Sequence, residues 1–219
     1  MRSLRHSLAT ALLTLLCVSG PPSQAEQAEQ AAPIMPLASR SLLLDIATAD
    51  QRLVVAGERG HILYSDDAGA SWTQASVPTT QMLTGVHFIN DTTGWAVGHD
   101  GLILASDDGG ATWRVQRDGL SVQHQANLEL REASIHQINA LKGAIAIAPE
   151  DALADLELQL EDAELDLEDA ELALAEPVHT APLMDTWFQD AARGWAIGAF
   201  GTLVVTQDGG QHWESRGTA

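Results

Sequence analysis

The residues of this chain best suited to chemistry recur in one spacing, Ser/Thr-x-Asp-x-Gly-x-x-Trp. It occurs as Ser65, Asp67, Gly69 and Trp72, as Ser106, Asp108, Gly110 and Trp113, and as Thr206, Asp208, Gly210 and Trp213. The adjacent carboxylates Asp66-Asp67 and Asp107-Asp108 could ligate a metal, but Gln207 stands at that place in the third copy, so only one carboxylate is common. A tight turn accounts for all three copies. A short Asp side chain accepts hydrogen bonds from backbone N–H groups one or two residues ahead, and a Ser or Thr hydroxyl does the same more weakly. Gly69, Gly110 and Gly210 allow a positive φ, and the Trp opens the next strand with a large ring to bury. The three sets are read as structural clips between strands, with no catalytic role.

Other reactive side chains do not gather. His61, His87, His99, His124, His136, His179 and His212 show no HxH or HExxH spacing, so neither a metal site nor a cofactor is expected. The single tyrosine, Tyr64, stands just before a turn where the other copies have Ala105 and Val205, and it reads as a strand residue.

The turns need strands to join. Gly57, Gly98 and Gly198 each lie eight residues before the Ser or Thr of their turn, inside the apolar runs Leu53–Gly57, Trp95–Gly98 and Trp195–Gly198. Apolar runs also follow each glycine (His61–Tyr64, Leu102–Ala105, Thr202–Val205) and precede it (Leu42–Ile46, Leu83–Phe88, Met184–Phe188). With the strand after each Trp, every unit has four short strands. Asp67 and Asp108 are 41 residues apart, the length of one propeller blade. Asp108 and Asp208 are 100 apart, so about 59 residues are inserted between the second and third units. The fold class predicted is all-β: a partial β-propeller of about three four-stranded blades, with an inserted α-helical hairpin. Blades one and two occupy 41–119, the acidic hairpin 120–180 and blade three 181–219.

The insertion changes period. Leu128, Ile135, Ile138, Leu141 and Ile145 recur at helical spacing, and Pro149 suits the start of a second helix. There Leu153, Leu156, Leu160, Ala163, Leu167, Ala170 and Leu174 make an a/d seam, among twelve acidic residues between Glu150 and Glu176. A charge run on a helix is ordinarily a solvated face. Leu158, Leu165 and Leu172 form a second row off the seam, expected to pack against the propeller rim; a docking face for another protein is the alternative.

Residues 1–25 read as a secretory signal: Arg2 and Arg5, an apolar run from Leu8 to Val18, then Ser23-Gln24-Ala25 as the cleavage site. The sole cysteine, Cys17, falls inside it after Leu15-Leu16, which does not suit lipidation. Residues 26–40 read as a flexible lead-in. The chain is therefore expected to be exported, periplasmic or membrane-associated on the outer side of the inner membrane, and free of disulfides. A formal charge of −19 argues against nucleic acid and anionic membrane surfaces as partners.

The turn motif is the Asp-box, and on its own it resembles the bacterial neuraminidase repeat of sialidases and many unrelated propellers. The longer unit Gly94-Trp95-Ala96-Val97-Gly98 through Ser106–Trp113, with Gly194-Trp195-Ala196-Ile197-Gly198, is similar to propellers related to the photosystem II stability and assembly factor, including exported bacterial members. The resemblance covers about residues 41–117 and 183–216. It implies a non-catalytic propeller that binds protein partners and helps assemble or stabilise a membrane complex of the envelope. Resemblance to sialidases would imply three arginines, a Tyr–Glu pair and an acid/base Asp; with one tyrosine and scattered arginines, the alternative is a glycoside hydrolase fragment whose active-site blades are missing. Three blades do not close a ring, so the chain is expected to be a piece of a longer or truncated propeller, or to complete a ring by self-association.

Overall fold

The computed structural model describes residues 31–217. The signal-peptide reading of residues 1–25, Cys17 included, lies outside them.

Short, largely apolar runs build three four-stranded antiparallel sheets. The first holds β1 (Leu43–Ala49), β2 (Arg52–Gly57), β3 (Ile62–Ser65) and β4 (Thr73–Gln74). The second holds β5 (Leu83–Phe88), β6 (Gly94–Gly98), β7 (Ile103–Ser106) and β8 (Arg114–Arg117). The third holds β9 (Leu183–Phe188), β10 (Gly194–Gly198), β11 (Leu203–Thr206) and β12 (Glu214–Ser215). Strands follow chain order within each sheet. Fourth strands begin one residue after the Trp; in the second sheet that ring turns back over its own clip, Trp113 Nε1 donating to the Gly110 carbonyl at 3.0 Å. The chain is mostly β with a helical insertion, an arrangement consistent with a partial propeller.

The sheets stack face to face. Val54, Ala56 and Ile62 of the first meet Leu83, Val86, Phe88 and Leu104 of the second in one core. On its opposite face the second sheet presents Trp95, Val97, Ile103 and Ala105 to Leu183, Phe188, Ala196 and Val204 of the third. Both faces of β6 and β7 are thus covered, and every residue of these strands is buried, which is why they read as unbroken apolar runs. Polar ties cross the same joints. Asp45 Oδ2 accepts from the Val86 N–H at 2.8 Å, and Thr84 Oγ1 donates to the Leu183 carbonyl at 2.6 Å.

Residues 31–40, expected as a flexible lead-in, are instead pinned along the first sheet. The Ala32 N–H donates to the Val77 carbonyl, the Met35 N–H donates to Gln74 Oε1, and Gln74 Nε2 donates back to the Pro33 carbonyl. Ala38 is buried on Val55 and Leu63.

Two helices connect β8 of the second sheet to β9 of the third: α1 (Gly119–Ile145) and α2 (Glu150–Ala175). Asp118 caps α1, its carboxylate accepting from the Leu120 N–H at 3.1 Å and the Ser121 hydroxyl at 2.6 Å. Arg117, one residue earlier, donates to the Gly101 carbonyl at 2.6 Å and ties the helix start to the β6–β7 turn. Pro149 precedes α2, whose first turn carries Glu150 and Asp151 against the positive end of the helix dipole. The seam residues of α2 face α1, with Ala163 and Ala170 buried. Asn127 of α1, also buried, donates across to the Ala173 carbonyl at 3.3 Å, a polar contact that fixes register. Leu158, Leu165 and Leu172, expected to pack within the fold, are 58%, 56% and 57% exposed. The reason is angular: they lie on the side of α2 opposite its seam. Among the described residues no helix is long and apolar enough to cross a membrane.

Candidate functional site

The three clips share one hydrogen-bond pattern. Ser65, Ser106 and Thr206 each donate the hydroxyl to Oδ1 of Asp67, Asp108 and Asp208, at 2.8, 2.9 and 2.9 Å. The same hydroxyl oxygens accept from the N–H groups of Gly69, Gly110 and Gly210, at 2.8, 2.9 and 2.8 Å. Each Asp Oδ1 accepts from the backbone N–H of Ser71, Thr112 or His212, and each Oδ2 from that residue's side chain, at 2.6, 2.7 and 2.6 Å. The carboxylate therefore reaches four residues ahead, further than the one or two expected. Two successive positive-φ residues cause this: Ala68 and Gly69, Gly109 and Gly110, Gly209 and Gly210. They double the loop back and bring the fifth residue over the Asp. Ser71, Thr112 and His212 are members of the clip that the motif omitted; the available signal was a side-chain donor before the Trp in every copy.

This donor set stabilises the charged carboxylate. Asp67 is held at about 2, chiefly by the Ser71 hydroxyl and N–H and the Ser65 hydroxyl. Asp208 is held at about 2 by the N–H and ring of His212, then by Thr206. At Asp108 burial acts in the opposite direction, but the bonds from Thr112 and Ser106 prevail and lower it. The neighbouring carboxylates point elsewhere: Asp66 pairs with Arg52 at 2.7 Å and Asp107 with Arg114 at 3.1 Å. Among the described residues no group of three or more His, Cys, Asp or Glu could hold a metal ion.

Trp113 and Trp213 meet Phe88 and Phe188 edge-on, with ring centroids 5.9 and 5.8 Å apart. Trp72 packs against Val55 and Leu63 of the first sheet. The clips also join sheet to sheet through a backbone carbonyl. Arg52 Nη1 donates to the Gly109 carbonyl at 3.2 Å, and Gln116 Nε2 to the Gly209 carbonyl at 2.8 Å.

Among the described residues the structure unites one pair that suggests nucleophilic chemistry. Ser41 Oγ lies 2.8 Å from His61 Nδ1, and it donates its only proton to the Ala38 carbonyl at 2.6 Å. His61 must then donate to Ser41, the reverse of the direction in which a histidine activates a serine. Burial pushes His61 below its ordinary value, which favours the neutral ring. Tyr64 lies beneath the Arg52 guanidinium, 4.4 Å from atom to ring centroid, in a cation–π contact. Among the described residues the arginines do not converge: Arg193 pairs with Asp190, Arg216 with Glu214, and Arg131 with Glu171. A cleft of about 540 Å³ between the second and third sheets is lined by Trp95, Asp107, Arg114, Gln116 and Asp208. A smaller one of about 300 Å³ opens where α1 starts, beside Thr79, Asp100 and Asp118. Neither holds a tyrosine or a glutamate.

Large apolar side chains are exposed instead. On the third sheet Met184, Trp187 and Ile197 are each more than half exposed, and Phe200, in the β10–β11 turn, is 93% exposed. The leucine row of α2 is a second such surface.

Residues 70–149, from the first clip to the start of α2, match the family model described as Photosynthesis system II assembly factor YCF48. Among solved structures the chain is similar to one described as YCF48 bound to D1 peptide, at 14% identity and TM-score 0.47, over 79% of this chain and 39% of that one. It is also similar to YCF48 from Cyanidioschyzon merolae, at 15% identity and TM-score 0.47, over 85% of this chain and 42% of that one. The chain spans about two fifths of the length of these structures. A comparison with curated proteins finds no match. By its repeat unit and this matched stretch, the chain resembles the Asp-box propellers of the photosystem II assembly factor family.

Proposed function

We propose that this chain is a non-catalytic, exported β-propeller module of about three blades. In this reading it binds a protein partner during assembly or stabilisation of a membrane complex in the cell envelope. The observation that carries the reading is the contrast between its polar and apolar side chains. Every Asp-box carboxylate and hydroxyl is engaged inside its own clip, while leucines, methionine and aromatic rings stand in solvent on the third sheet and on α2. Exposed apolar patches of this kind mark protein interaction surfaces. The match to an assembly-factor family model over residues 70–149 supports the same reading.

On this account the Asp boxes are clips that hold each blade's outer turn, and the acidic hairpin at 120–180 projects between the second and third blades. Export would place the chain in the periplasm or on the outer side of the inner membrane. Association of the third blade's open face with another blade, from a second copy or from further chain, would extend the ring.

The test is in-cell cross-linking of the tagged full chain, followed by identification of what is captured. Enrichment of a protein of one envelope membrane complex, over an unrelated exported protein carrying the same tag, is the expected result. Absence of any enriched envelope protein, or turnover of a sialyl or aryl glycoside by the purified chain, would overturn the reading.

A further inference from the structure

The helix α2 carries two apolar rows that face opposite ways. With Leu153 at heptad position a, the seam row falls on a and d and packs on α1, while Leu158, Leu165 and Leu172 all fall on f, the position farthest from the seam. All three are more than half exposed. A seven-residue step keeps them nearly in line, about 10 Å apart, so the row runs for roughly 20 Å or four helical turns.

The charge around the row is of one sign. Residues three and four away on a helix are surface neighbours, and for these leucines they include Asp155, Glu161, Asp162, Glu168 and Asp169. None of the five forms an ion pair among the described residues. Glu164 and Glu171, at position e, are paired with Lys142 and Arg131 of α1 at 3.0 and 3.4 Å. α2 has no Lys, Arg or His of its own. The hairpin's ion pairs thus lie on the α1 side of α2, and the outward leucines sit in a frame of carboxylates without counter-charges.

We infer that the outer face of α2 docks an amphipathic helix of a protein partner, one whose apolar stripe is flanked by Lys and Arg. The inference rests on the protein-binding reading above and adds the partner's chemistry. Leucines opposite leucines would supply the burial, and basic flanks would neutralise carboxylates that have no ion-pair partner among the described residues. A second copy of α2 would bring carboxylates against carboxylates, and an anionic membrane surface would repel the same face.

The experiment titrates the full chain with a labelled synthetic peptide of about 18 leucines and lysines, the leucines spaced to form one helical face, and reads fluorescence anisotropy. Control peptides are a scrambled sequence of equal composition and one with Glu in place of Lys. The first variant is Leu158→Ala/Leu165→Ala/Leu172→Ala. Ala keeps helix propensity, so circular dichroism and melting are expected to match the parent chain. The second variant, Asp162→Lys/Glu168→Lys/Asp169→Lys, keeps the leucines and reverses the frame. The amphipathic Lys peptide is expected to bind the parent chain, to lose roughly tenfold or more in affinity on the alanine variant, and to fail on the lysine variant. Equal binding to the parent and alanine variants would show charge attraction alone and overturn the inference. So would equal binding of the scrambled or Glu peptide, or leucine-dependent binding to anionic phospholipid vesicles in place of the peptide. In the cross-linking experiment, undiminished capture of the envelope partner by the alanine variant overturns this docking face and leaves the protein-binding reading standing.

Discussion

Trp95 of the second sheet and Phe188 of the third lie flat against each other, their ring centroids 3.4 Å apart and their planes 7° from parallel. The two rings close the joint between these sheets, and Phe188 also meets Trp213 edge-on. Trp195 holds in the third sheet the place that Trp95 holds in the second, but with no sheet over it among the described residues it is only half-buried. Phe188→Ala is therefore expected to lower unfolding free energy by about 3–5 kcal/mol, the range for a deleted core ring. Trp195→Ala should cost much less. Urea titrations of both variants, followed by tryptophan fluorescence and by circular dichroism, check the difference.

Phe88 and Phe188 also dictate glycine at the residue paired with each across β5–β6 and β9–β10. A β-carbon on Gly94 would stand 2.5 Å from the ring of Phe88, and one on Gly194 would meet Phe188 as closely. The first sheet solves the same position differently, with Leu53 paired to Thr48. Gly94→Ala is expected to destabilise by roughly 1–3 kcal/mol through overpacking. A double-mutant cycle with Phe88→Thr should show recovery, because the threonine leaves room for the new β-carbon. Strict additivity of the two substitutions would contradict this account.

The Asp-box carboxylates set an acid limit. Asp67 and Asp208 have folded values of about 2, below the ordinary aspartate value of about 3.9. Folded values depressed in this way contribute stability that is present above the unfolded pKa and is lost as pH falls through the folded one. Melting temperature is therefore expected to drop between about pH 4 and pH 2. Asp67→Asn and Asp208→Asn should be less stable than the parent at pH 7 and should converge on it at the acid end. Calorimetric melts across that range check the sign; parallel curves for parent and variants would refute it.

The open face of the third sheet is expected to drive association. Ile197 is 52% exposed where its counterpart Val97 is fully buried by the next sheet, and Leu203 is half-buried where Ile103 is fully buried. Light scattering of residues 26–219 is expected to give a mass above the monomer that rises with concentration. Ile197→Lys, placed in the centre of that face, should return it to monomer without lowering the melting temperature of the fold. A monomeric parent chain at all concentrations would show that the face does not self-associate.

Much of this molecule was legible as periodicity. A turn motif at a fixed interval, with apolar runs before and after it, specifies local hairpins, because each run can bury a face only by pairing with its neighbour. The strands therefore stand within a few residues of their sequence-based bounds, and the heptads of residues 153–174 specify the α2 seam. What local pattern does not encode is the partner of a surface. Residues 31–40 look featureless by composition, yet Ala38 is buried by Val55 and Leu63, which are 15 or more residues away in sequence. Ser71, Thr112 and His212 entered the clips only because two positive-φ residues fold the loop back on itself. Leu158, Leu165 and Leu172 have the spacing of packed residues, and only the direction in which α2 faces α1 decided that they point to solvent. Where each hairpin and helix forms follows from local pattern, since it depends on contacts a few residues apart. Which faces are covered and which are left open follows from packing, since it depends on how elements distant in the chain meet.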